Sequence, residues 1–94
     1  MTATLRVEKL KEGQFRVTVS DARSHSSHVV TVTKDYYEKL TAEKVSPEEL
    51  VRVSFEFLLQ REPKESILRA FDLTVIREYF PEYEGQITSQ LHSP

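Results

Sequence analysis

Ser24-His25-Ser26-Ser27-His28, with Asp21 and Arg23 just before it, is the densest run of chemically competent side chains in the 94-residue sequence. Two histidines three apart and a nearby aspartate could share a metal ion. A zinc centre, however, needs three or four ligands, and no cysteine, His-Glu-x-x-His or second paired-histidine motif stands elsewhere. A Ser-His-Asp triad requires an oxyanion hole and a sharp nucleophile turn, and no glycine flanks a serine in this segment. The chemistry that remains is an anion contact through Arg23, His25 and His28 together with the serine hydroxyls. The sequence assigns no catalytic residue and no metal ligand. With only two glycines and no glycine-rich phosphate loop, it also implies no cofactor.

Charge narrows the partner class. The 13 Lys and Arg against 15 Asp and Glu leave a formal net charge of −2, a weak field for a phosphate backbone that must exchange many counterions. Residues 1–33 carry net +2, and residues 34–65 and 66–94 net −2 each. A nucleic-acid surface would therefore draw on Arg6, Lys9, Lys11, Arg16 and Arg23. The absence of cysteine rules out a disulfide framework. The opening Met1–Arg6 has no signal-peptide pattern and no apolar run reaches the length of a membrane span, so a cytoplasmic address is expected.

The elements that must position these residues follow from periodicity. Leu5 and Val7, then Phe15, Val17 and Val19, alternate with polar neighbours around Gly13, which predicts a β-hairpin. Asp21 to Ser27 reads as a loop, and His28–Val32 as a third strand. Thr33 caps a short helix over Lys34–Leu40. Ser46-Pro47-Glu48-Glu49 is the strongest start signal, with a capping serine, proline at the first helical position and glutamate three residues after the cap; it opens a helix to about Arg61. A further short helix is expected over Pro63–Ala70, burying Ile67 and Leu68, and another over Leu73–Phe80 capped by Asp72. The expected fold is α+β: about three antiparallel strands, a central helix and two or three short helices. Residues 1–84 form one domain in this reading, and 85–94 a frayed tail with little to bury.

The long helix carries the functional expectation. Leu50, Val51, Val53, Phe55, Phe57, Leu58 and Leu59 span an arc of roughly 240°, well beyond the ~100° of an ordinary surface helix. Either the sheet and the C-terminal helices cover both sides, or part of the arc meets a partner. Val51, Phe55 and Leu59, joined by Tyr36 and Tyr83, are the candidate interface.

Two other patterns bear on partners. Glu65–Tyr79 has the rhythm of a helix-turn-helix, but its second helix, stopped by Pro81, would carry Arg77 and Glu78, with Glu82 and Glu84 just beyond, the wrong chemistry for a major groove. Tyr79 and Phe80 are expected in the core. The run from Pro47 to Leu73, ending in Tyr79-Phe80-Pro81-Glu82, resembles a group of short uncharacterised bacterial proteins. The resemblance implies a bacterial cytoplasmic setting and brings no ligand or catalytic residue to carry over. The functional expectation is a non-catalytic protein-interaction or assembly module, pairing with itself as a homodimer or with another protein. A nucleic-acid-associated, antitoxin-like regulator is the alternative, and a small metal-dependent enzyme on His25 and His28 stands third.

Overall fold

The computed structural model describes residues 3–91. A four-stranded sheet runs in the order β1 (Thr4–Lys11), β2 (Gln14–Ser20), β3 (His25–Thr31) and β4 (Ala70–Asp72). The first three strands are antiparallel, and β4 joins β3 in parallel. Four helices complete an α+β fold: α1 (Lys34–Thr41), α2 (Pro47–Leu59), α3 (Val75–Tyr79) and α4 (Tyr83–Leu91).

The hairpin turns where expected. Gly13 adopts φ +77°, a left-handed conformation, and an added Cβ would come within 3.1 Å of the Val32 carbonyl. Phe15, Val17 and Val19 all point to one face and are almost wholly buried. Arg6, Glu8 and Arg16 lie on the opposite face and are exposed, as is common for a sheet built mainly of hairpins.

The helices assemble over the apolar face. Thr33 and Ser46 cap α1 and α2 by accepting from the Tyr36 and Glu49 amides. The Glu49 carboxylate does not reach back to close a capping box; it grips Arg52, which also meets Glu56 at 2.6 Å. α2 lies on β1 and β2, while α1 and α4 pack against its other side.

Four expectations are corrected. β3 begins three residues early, because the ladder with β2 continues through Ser26 and Ser27 to a Ser20–His25 pairing; long-range pairing overrides weak local β-propensity. Pro63–Ala70 is not an α-helix: one 3-10 turn (Lys64–Ser66) leads into extended chain and β4, so the sheet has four strands. Ile67 is buried there, but Leu68 faces water at 47% exposure. Asp72 accepts from the Thr74 amide and hydroxyl, which delays α3 to Val75. Residues 85–91 do not fray: α4 extends to Leu91 with Ile87 fully buried, and residues 92–94, with His92, lie outside the described residues.

Candidate functional site

The expected interface on the long helix is internal. Val51, Phe55 and Tyr83 are 0% exposed and Tyr36 only 6%, so these four are core residues and not a contact surface. The arc is covered on both sides within one chain: Phe55 meets His28 and Phe71 of the sheet, and Tyr83 of α4 packs on Phe57 and bonds Ser54, with Val51 and Ile87 buried in the same core. Leu59 alone keeps partial exposure, in a shallow depression with Ala3, Leu5, Arg52 and Glu56.

Polar groups within this layer are matched. The Ser54 hydroxyl donates to the Leu50 carbonyl at 2.7 Å, so its single proton is used. The Tyr83 hydroxyl therefore donates to Ser54 across 2.6 Å. Tyr36 donates to Glu84 at 2.8 Å, and Arg77 and Lys39 reach the same carboxylate at 3.1 and 3.4 Å. Burial pushes the Tyr36 and Tyr83 hydroxyls well above the usual tyrosine range, in Tyr36 reinforced by its bond to Glu84. Among the described residues no buried side-chain polar atom lacks a partner.

The histidine run is divided by the strand it belongs to. In β3, His25 and His28 are three apart and so point to opposite faces. His25 and Arg23 are exposed; His28 is buried at 2% against the Phe55 ring. A carbonyl can only accept, so His28 Nδ1 carries a proton and donates it to Leu68 O at 2.8 Å. Nε2 pairs with Ser26 Oγ at 2.8 Å. His28 is thus committed to the scaffold and is not available as an anion contact. Asp21, the imagined third ligand, caps the turn by accepting from the Arg23 and Ser24 amides and holds Lys64 at 2.8 Å. The Lys64 ammonium and these amides hold its carboxyl far below the usual carboxylate range. No group of three or more metal-ligating side chains converges among the described residues.

The remaining basic surface is dispersed. Lys9 pairs with Glu12 at 3.2 Å and Arg16 with Glu8 at 3.8 Å, while Arg6 and Lys11 stand exposed. The helix-turn-helix rhythm dissolves as well, since its first half is a turn and a strand and α3 has five residues.

A different site emerges from the segment that declined to be helical. Between the end of α2, the strand-forming stretch 66–71 and α3 lies a cleft of about 190 Å³, walled by Leu58, Ile67, Phe71, Val75, Ile76 and Phe80. Leu68 and Tyr79 stand at its rim, 47% and 68% exposed. Tyr79 is therefore not a core residue, and Phe80 is half-buried, edge-on to Phe57. Ser66 and Glu62 supply the polar lining, and among the described residues the Glu62 carboxylate has no ion pair or side-chain hydrogen bond. Sequence reasoning missed this cleft because a helix over 63–70 would have turned Leu68 inward. No periodic signal marks the segment as a strand, since Ile67-Leu68-Arg69-Ala70-Phe71 does not alternate apolar with polar; Pro63, which cannot continue α2, is its one local cue.

Among the described residues no helix is long and apolar enough to cross a membrane. Family models, curated proteins and solved structures offer no match to this chain.

Proposed function

We propose that this chain is a non-catalytic interaction module that grips one apolar side chain of a partner polypeptide in the Leu68–Tyr79 cleft. The observation that supports it is the placement of exposed apolar surface. Leu68, Tyr79 and Leu10 are the large hydrophobic residues left exposed in the described structure, and two of the three rim one cleft. Exposed apolar groups concentrated around a concavity are the usual mark of a binding groove.

Size and charge define the occupant. A cavity of about 150 Å³ holds a benzene-sized group, so about 190 Å³ suits one aromatic or branched aliphatic anchor and is small for a nucleotide. The unpaired Glu62 carboxylate beside it favours a Lys or Arg next to that anchor. A bacterial cytoplasmic setting, implied by the resemblance of Pro47–Glu82, goes with this reading.

Selection from a random peptide library displayed on phage tests it. Enriched peptides should carry an aromatic or branched aliphatic residue adjacent to a cation, and should shift backbone amide resonances of residues 66–71 and 75–80. Leu68→Lys should weaken their binding by about tenfold or more. Absence of enrichment, or peptides indifferent to Leu68→Lys, overturns the reading.

A further inference from the structure

A second surface, independent of the cleft, is the outer edge of β1. This strand is eight residues long and contains no proline, and its one irregularity lies at its end, between Lys9 and Lys11. A long edge of that kind is a template for another strand. The opposite edge of the sheet is only the three-residue β4.

Which backbone groups are free on β1 follows from the ladder. Val29 donates its amide to Arg69 O, away from β2. Its partner Arg16 therefore directs its own backbone groups toward β1, where it faces Glu8. Alternation then turns the Thr4, Arg6 and Glu8 backbones inward. The amides and carbonyls of Leu5, Val7 and Lys9 point outward, unused by any strand among the described residues.

A second copy of this strand can use those groups in only a few antiparallel registers, since residues with outward backbones must face one another. Charge selects among them. Centring the pair between Leu5 and Val7 sets Arg6 against Arg6; centring it between Val7 and Lys9 sets Glu8 against Glu8. Centring on Lys9 stacks lysine on lysine, and centring on Leu5 sets Arg6 against Thr4 with no ion pair across the seam. With Val7 opposite Val7, Arg6 faces Glu8 of the second copy and Glu8 faces its Arg6, so symmetry makes the favourable contact twice. In that register Leu5 lies opposite Lys9, whose aliphatic stem can cover it. The side chains that would be sheltered, Leu5 and Val7, are half-buried in the single chain, unlike Val17 and Val19 beside them on β2.

We propose that the protein forms a homodimer through β1, two copies pairing antiparallel about Val7 into one continuous eight-stranded sheet. Because α2 packs on β1 from the apolar side, the two α2 helices lie on the same face of that sheet, and both clefts remain open.

Sedimentation equilibrium at low ionic strength tests the seam, with circular dichroism confirming that each variant is folded. The wild type should show twice the 10.9 kDa chain mass. Arg6→Glu and Glu8→Arg should each raise the dimer dissociation constant about tenfold or more, by turning both symmetric contacts repulsive. The double reversal, Arg6→Glu with Glu8→Arg, should restore it. Val7→Pro, which deletes an amide that the single chain does not use, should stay folded and become monomeric. A wild type of single-chain mass at several hundred micromolar overturns the proposal. So does a dimer indifferent to either reversal or to Val7→Pro, or a folded double reversal that remains dissociated.

Discussion

The Tyr83 hydroxyl, 29 positions beyond Ser54, donates to it across 2.6 Å while Ser54 passes its own proton to the Leu50 carbonyl. This relay joins α4 to α2 inside a layer that is otherwise apolar, and its two ends are not equivalent. Tyr83→Phe removes a donor and leaves Ser54 still bonded, so the loss should be about 1 kcal/mol. Ser54→Ala strands a buried phenolic proton and should cost more, about 1–3 kcal/mol. In a Tyr83→Phe background the same Ser54→Ala change should cost clearly less. Urea denaturation of the four proteins gives the coupling energy directly; equal losses in both backgrounds would show that the relay carries no stability.

The same layer shows what the sequence disclosed and what it concealed. The α2 arc was legible, as were its Ser46 cap, the Gly13 turn and the alternation of β2, because each is set by residues within a turn or two of one another. Cover by the sheet and the C-terminal helices was one of two readings, but the residues that supply it were not legible. Tyr83 and Ile87 do the covering from a segment rich in Gln, Ser and Thr, where two buried residues per two turns give a weak helical signal. The 63–72 segment failed for the opposite reason. Its apolar spacing fits a helix or a strand, and the parallel partner that decides the matter, Val29–Thr31, lies 41 residues away. The cleft inherits that ambiguity, since Leu68 reaches its rim only when the segment is extended.

His28 and His25 should part company on substitution. His28→Ala empties a buried site against Phe55 and leaves the Leu68 carbonyl without its donor. That should lower stability by about 2 kcal/mol or more. His25→Ala, at an exposed position on the other face, should change it by under about 0.5 kcal/mol. Thermal unfolding of both variants, with and without added zinc, checks this; a zinc-dependent rise in Tm that either substitution removes would restore the metal reading.

α1 ends on two successive left-handed residues, Ala42 at φ 51° and Glu43 at φ 59°. Neither is glycine, and the conformation costs an L-residue with a Cβ about 1 kcal/mol or more. Ala42 is exposed and its amide already closes the helix on the Glu38 carbonyl, so nothing but the Cβ would be lost. Ala42→Gly should therefore raise the stability by about 0.5–1 kcal/mol despite the greater freedom of glycine in the unfolded chain. A drop in the urea midpoint would mean that the unfolded-state entropy outweighs the relief.

Glu84 collects three partners from two elements: the Tyr36 hydroxyl and Lys39 of α1, and Arg77 of α3. Partial burial alone would raise its carboxyl, but the bonds from Tyr36, Arg77 and Lys39 outweigh it and leave it below the ordinary glutamate value of 4.5. A carboxyl depressed in the fold lends stability that is complete above its unfolded value and is lost as pH falls through its folded one. The advantage of the wild type over Glu84→Gln should therefore be full near pH 6 and shrink steadily below about pH 4.5. At pH 6 the gap should be on the order of 1 kcal/mol, since the carboxylate is partly screened by water. Added salt should narrow it further, because Lys39 and Arg77 are half exposed and their attraction is screened. Urea titrations of both proteins across this range decide the point. A gap that stays constant with pH would assign Glu84 a packing role, with its charge immaterial.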